Sequence, residues 1–123
     1  MADVLIVEDD EAVAAAIKGL LEGAGYRIVG IADSAEAAFV LAETGKPAAA
    51  IVDVKLAGLI DGITLAQQLS IRYGLGIVFV TGNPLAVLRQ ARGLTNEILS
   101  KPFSEKELLT AVASACGISA VAR

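Results

Sequence analysis

Ala48-Ala49-Ala50-Ile51-Val52-Asp53 is a short apolar run that stops on one carboxylate. Lys46-Pro47 precedes it and a glycine-containing segment comes after, so the run reads as a buried strand of a parallel sheet. Asp53 then stands at the carboxyl end of that strand, where open α/β sheets gather their chemistry. A carboxylate in that place serves as a metal ligand, a nucleophile or a cap for the next segment of chain. Which role it takes depends on the groups that converge on it.

Working outward, the same pattern repeats along the chain. Val4-Leu5-Ile6-Val7 is a β-branched run that ends on Glu8-Asp9-Asp10-Glu11. Val13, Ile17, Leu20 and Leu21 then keep helical spacing from Glu11 to Gly23, with Gly23 or Gly25 as the stop. Tyr26 to Ala32 reads as a second strand, and Asp33-Ser34 as the cap of a helix from Ala35 to Glu43 that Gly45 and Pro47 terminate. After Asp53, Val54 to Ile60 reads as a loop. Asp61-Gly62 opens a helix to about Tyr73, with Leu65, Leu69 and Ile71 expected inward. Gly76 to Thr81 is a fourth strand, and Asn83-Pro84 caps a short helix, Leu85 to Ala91. Glu97 to Ser100 is a fifth strand closed by Lys101-Pro102. Ser104 with Glu107 forms a capping box for a last helix, Ser104 to Cys116, leaving a tail from Gly117 to Arg123. Five alternations of strand and helix give an α/β class with a parallel sheet. Right-handed crossovers bring all five strand ends to one edge.

Composition narrows the function classes. The 123 residues suit one domain, with a core over about 2–116. The chain is 55% hydrophobic with 4% aromatic, so the core is built from Ala, Val, Ile and Leu. A net charge of −4 argues against nonspecific binding to nucleic acid or anionic membrane. The single cysteine, Cys116, excludes an internal disulfide and reads as a small packed hydrophobe. No signal-peptide pattern and no membrane-length apolar run are present, and the expected location is cytoplasmic.

Four strand ends carry polar groups to the shared edge: Glu8 with Asp9, Asp53, Thr81 and Lys101. Taken singly, each has an ordinary explanation as a cap, a loop hydroxyl or a solvated ammonium. Together, three crowded carboxylates need a cation. Oxygen ligands with retained waters suit Mg²⁺. A divalent ion, a free carboxylate nucleophile, a hydroxyl donor and an ammonium are the parts that stabilise a transferring phosphoryl group.

Val7-Glu8-Asp9-Asp10, Val52-Asp53, Val80-Thr81-Gly82 and Ser100-Lys101-Pro102-Phe103 together resemble, in order and over essentially the whole chain, the receiver domain of two-component response regulators. The resemblance implies a flavodoxin-like (βα)5 sheet of order 2-1-3-4-5. It implies that Asp53 accepts a phosphoryl group from a phosphohistidine of a sensor kinase or phosphotransfer protein. Asp9 and Asp53 would ligate Mg²⁺, with the Lys55 backbone carbonyl as a further ligand and Glu8 acting through a water. Thr81 and Lys101 would hold the phosphoryl oxygens, and the Lys101–Pro102 bond would be cis. The expected protein is a stand-alone signalling phosphoacceptor, not a turnover enzyme. It would bind a downstream protein through the fourth helix, fifth strand and fifth helix, around Leu85 to Ala115, and a homodimer could use the same face.

Departures from the family pattern give the alternative of a pseudo-receiver, a phosphorylation-independent binding module. Ile98 stands where receivers usually carry a switching Tyr or Phe. Ala57 replaces a loop proline, and the loop is one residue longer than usual. Lys55 and Asn83 occupy the positions at which receivers tune the approach of water, and Lys55 is expected to reach over the phosphoryl group and slow hydrolysis.

Overall fold

The computed structural model describes residues 2–55, 61–91 and 96–121, with the side chains of 96 and 118–121 outside the description. Five strands alternate with five helices in these residues: β1 (Asp3–Val7), α1 (Glu11–Gly23), β2 (Arg27–Ala32), α2 (Ala35–Gly45), β3 (Ala49–Asp53), α3 (Gly62–Tyr73), β4 (Gly76–Thr81), α4 (Pro84–Gln90), β5 (Asn96–Ser100) and α5 (Glu105–Val121). The strands form one parallel sheet in the order β2-β1-β3-β4-β5, as expected.

The period of two along each strand divides the core into two layers. Leu5, Val7, Ala50, Val52, Ile77 and Phe79 face α2, α3 and α4, where Ala38, Leu65, Leu69 and Val87 meet them. Val4, Ile6, Ala49, Ile51, Val78 and Val80 face α1 and α5, against Ile17, Leu21, Leu108 and Val112. β1, β3 and β4 are buried on both faces, which is why they read as unbroken apolar runs.

The caps anticipated from sequence are present. Ser34 accepts from the Ala37 amide, Asp61 from Thr64 and Asn83 from Ala86; Asp10, read only as part of an acidic cluster, also caps α1 by accepting from the Ala12 and Val13 amides. Both arms of the Ser104–Glu107 box form, at 3.1 and 3.0 Å. Ser34 is a half-buried cap, and Ser34→Ala is expected to lower stability by about 1 kcal/mol with an unchanged fold, read as a shift in the denaturation midpoint.

Three expectations are corrected. Ile71 points outward and is 77% exposed. The buried stripe of α3 runs through Leu65 and Leu69, four residues apart, with Ile63 and Ala66. A position two beyond Leu69 therefore falls on the far side of the helix. α2 continues to Gly45, and the left-handed cap is Lys46 at φ 46°, whose amide donates to the Ala42 carbonyl. Gly45 is used for packing instead: a Cβ there would lie 2.8 Å from Val29 Cβ. α5 does not stop at Cys116 but runs to Val121, so most of the expected tail is helix. No proline interrupts Gly117 to Val121, and an interior glycine costs only about 1 kcal/mol. The loop positions Leu56 to Ile60, with Ala57, and the side chains of Ile118 and Val121 lie outside the described residues. Cys116 is half-buried against the α1–α5 layer, and its burial raises the thiol above its usual range.

Candidate functional site

Strand register brings the expected residues together. Val7 pairs with Val52, Asp53 with Val80, and Thr81 with Ser100. Pairing then continues one step beyond the strands: Glu8 N–H donates to Ala32 O at 2.9 Å, Val54 N–H to Val80 O at 3.3 Å, and Lys101 N–H to Thr81 O at 2.8 Å. Glu8, Asp53, Thr81 and Lys101 are therefore neighbours across one sheet edge. They flank the point between β1 and β3 where the chain changes direction along the sheet, the usual ligand crevice of such folds.

Carboxylate oxygens of Glu8, Asp9 and Asp53 all lie within 4.8 Å of one another. Glu8, Asp53 and Thr81 are buried, at 4, 5 and 4% exposure, while Asp9 faces solvent. Asp53 is held at both oxygens. Its Oδ1 accepts from the Lys55 amide at 3.0 Å, and its Oδ2 faces Lys101 Nζ at 3.5 Å. Thr81 Oγ1 accepts from the Asn83 amide at 2.9 Å, which leaves the hydroxyl proton free to be donated elsewhere. Glu8 Oε1 accepts from the Asp10 amide at 3.1 Å. Burial pushes the Glu8 carboxyl up to about 7, and the Asp53 carboxylate adds to the rise. The Asp10 amide and the Lys101 ammonium oppose it.

Two buried carboxylates and a third at the rim, with one ammonium beside them, leave uncompensated negative charge in this edge. That donor set is all oxygen and fits a hard divalent cation such as Mg²⁺. It also leaves a place where an anionic group meets a cation, a hydroxyl donor and an ammonium at once.

The remaining expected positions fall around this centre. The Lys101–Pro102 peptide is cis. The Lys55 side chain is exposed at the rim. The Asn83 side chain caps α4, so at this site its contribution is the backbone amide on Thr81. Ile98 is half-buried and packs against the α2–α3–α4 layer. Sequence reasoning did not single out Gly62, which is buried where α3 meets the Asp53–Val54 backbone; the Asp61-Gly62 pair was the signal that could have found it. It also missed an open apolar hollow of about 620 Å³ beside Lys101, lined by Ala12, Val13, Ala16 and Leu20 of α1 and by Pro102 and Phe103.

Comparison with known proteins agrees with this geometry. The family model for the response regulator receiver domain matches residues 4–113. The transcriptional regulatory protein PdtaR of Mycobacterium tuberculosis is 34% identical over 111 residues, covering 89% of this chain and 54% of PdtaR. The phyllosphere-induced regulator PhyR of Methylorubrum extorquens is 25% identical over 114 residues, covering 92% of this chain and 43% of PhyR. The chain thus spans about half the length of these curated relatives. Among solved structures, the signal receiver domain of a modulated diguanylate cyclase from Desulfovibrio desulfuricans superposes with a TM-score of 0.90 at 29% identity, covering 100% of this chain and 99% of that one. With a family match over 110 of its residues and the matching fold, this chain belongs to the response regulator receiver domain family.

Proposed function

We propose that this receiver is a phosphoacceptor: Asp53 takes a phosphoryl group from a phosphohistidine of a sensor kinase or phosphotransfer protein, with Mg²⁺ in the site, and signals by changed protein binding or by passing the phosphoryl group on. The observation that carries the reading is the convergence of Glu8, Asp9 and Asp53 within 4.8 Å, with Lys101 3.5 Å from Asp53. The role is that of a signalling module in the cytoplasm, and its catalysis is confined to its own phosphorylation and dephosphorylation. No helix among the described residues is long and apolar enough to cross a membrane.

Asp9 and Asp53 would hold the cation, with Glu8 acting through a water and the Lys55 carbonyl as a further ligand. Bound there, it neutralises the carboxylates and draws charge from the phosphoryl oxygens. Asp53 is the nucleophile: one carboxylate oxygen forms a bond to phosphorus while the phosphorus–nitrogen bond of the donor breaks, and the electron pair leaves with the imidazole nitrogen. Lys101 pairs with a phosphoryl oxygen, and the free hydroxyl proton of Thr81 is donated to another. Lys55, at the rim, slows the approach of hydrolytic water. Lys55→Ala is expected to shorten the phosphoryl lifetime severalfold, measured as the decay of the phosphorylated mass after removal of donor.

A donor protein must bring its histidine in line with Asp53, and the hollow beside Lys101 offers an apolar seat next to that path. Ala16 is exposed on its floor. Ala16→Glu is expected to slow transfer from a phosphohistidine protein at least ~10-fold, equivalent to about 1.4 kcal/mol of lost docking, while leaving phosphorylation by a small donor unchanged. The output face includes α4, where Leu85 and Leu88 are 65 and 60% exposed, with β5 and α5; a homodimer would use the same face.

The direct test is intact-mass measurement after treatment with phosphoramidate, a small phosphorus–nitrogen donor, with Mg²⁺ or with chelator. A single phosphoryl adduct that needs Mg²⁺ supports the reading, and no adduct from either the small donor or a phosphohistidine protein defeats it. One observation favours a second reading, a binding module that keeps the shape without phosphotransfer. Ile98, half-buried on β5, stands where receivers usually carry a switching Tyr or Phe. The absence of any adduct would favour that reading.

A further inference from the structure

Gly62 is the first residue of α3 and is buried where that helix meets the end of β3. A Cβ built on it falls 2.3 Å from the Asp53 carbonyl oxygen, 2.7 Å from Val54 Cα and 3.0 Å from the Asp53 carbonyl carbon. These distances lie well inside the ~3.5 Å of ordinary non-bonded contact. All three atoms are backbone, so nothing there can swing aside as the end of a long side chain would. The φ of Gly62 lies outside the left-handed region, so the demand is for space and not for torsional freedom.

The contact reaches the residue at the centre of the site. Gly62 N–H donates to Val54 O at 3.3 Å, and on the other side Val54 N–H donates to Val80 O at 3.3 Å. The Asp53–Val54 and Val54–Lys55 peptides are thus clamped together, the first to β4 through its N–H and the second to the start of α3 through its carbonyl. The N–H of the second peptide, that of Lys55, holds Asp53 Oδ1 at 3.0 Å. A shift of the clamped peptides moves that amide and the carboxylate together.

We propose that Gly62 is a positioning residue for the acceptor: its missing side chain lets α3 bear directly on the Asp53–Val54 peptide and so sets where the Asp53 carboxylate stands relative to Glu8, Asp9 and Lys101. This rests on the phosphoacceptor reading above and adds a residue to it. Gly76 supplies a matched comparison. A Cβ there would lie 2.0 Å from the Ala115 carbonyl oxygen, again backbone, but at the start of β4 and so at the opposite end of the strands from Asp53.

Gly62→Ala and Gly76→Ala are compared with wild type in sucrose, which favours the compact state. The readouts are the thermal midpoint, the Mg²⁺ dissociation constant by calorimetry, the rate of phosphorylation by phosphoramidate, and the Lys55 amide resonance in the metal-free protein. Both variants lower the midpoint. Only Gly62→Ala weakens Mg²⁺ binding ~10-fold or more, slows phosphorylation ~10²-fold and moves the Lys55 resonance. Wild-type Mg²⁺ affinity and rate in Gly62→Ala, or equal losses in Gly76→Ala, overturn the proposal. If Gly62→Ala does not fold, Asp61→Ala takes its place. It removes the 2.8 Å cap on the Thr64 amide and loosens the start of α3 without adding atoms. Several-fold weaker Mg²⁺ binding is then expected, and unchanged binding overturns the assignment. A wild-type protein that neither binds Mg²⁺ nor takes a phosphoryl group defeats the phosphoacceptor reading instead; the Lys55 resonance of the metal-free variant still decides whether Gly62 sets the carboxylate's place.

Discussion

Asp53→Asn is expected to abolish phosphoryl uptake, with a rate at least ~10³-fold below wild type and a fold left intact. The substitution keeps the shape of the side chain and an oxygen to accept the Lys55 amide, now 3.0 Å from Oδ1. What it removes is the anionic oxygen that the proposed function assigns to the attack on phosphorus, and an amide oxygen is a far weaker nucleophile. Glu8 and Asp9 do not replace it. Glu8 is buried with one oxygen engaged by the Asp10 amide, and Asp9 faces outward at the rim. Intact mass after phosphoramidate treatment reads the result, and an adduct of wild-type yield in Asp53→Asn would place the acceptor elsewhere.

Lys101→Met separates the two electrostatic jobs at the site. The ammonium lies 3.5 Å from Asp53 Oδ2, and methionine keeps most of the apolar stem without the charge. If Lys101 pairs with the phosphoryl oxygens as proposed, its loss is expected to slow phosphorylation ~10²–10³-fold. Mg²⁺ binding moves the other way. With the ammonium gone, the Glu8, Asp9 and Asp53 carboxylates have no fixed cation beside them, and their attraction for a divalent ion grows. Calorimetry is therefore expected to show equal or tighter Mg²⁺ binding in the same variant that transfers poorly. Weaker Mg²⁺ binding in Lys101→Met would mean that the lysine organises the metal site and does not serve the phosphoryl group.

The sheet and its polar edge were legible because both are written in local signals. Apolar runs that stop on a polar residue marked β1, β3 and β4, and the register of a parallel sheet then made neighbours of residues as distant in sequence as Asp53 and Lys101. The caps at Ser34, Asp61 and Asn83 were legible for the same reason, since each is a side chain bonding an amide three residues away. The failures came where the deciding contact is tertiary. Ile71 is apolar and helical, yet the side of α3 that meets the sheet was fixed by Leu65 and Leu69. Gly45 looked like a stop signal and instead makes room for Val29, with Lys46 taking the left-handed cap. Gly62 carried no visible chemistry, because its part is the absence of atoms beside the Asp53 carbonyl; the Asp61-Gly62 pair marked a helix start and not that contact.

An acyl phosphate at one carboxylate is the central claim, and borohydride trapping reads it. Hydride reduces an aspartyl phosphate to the primary alcohol with release of phosphate, converting the acceptor residue to homoserine. After treatment of the wild-type protein with phosphoramidate and Mg²⁺, then borohydride and peptide mass analysis, homoserine is expected at position 53 alone and is absent when a chelator replaces Mg²⁺. Homoserine at position 9, or a phosphoryl adduct that survives borohydride as a hydroxyl ester, would contradict that claim.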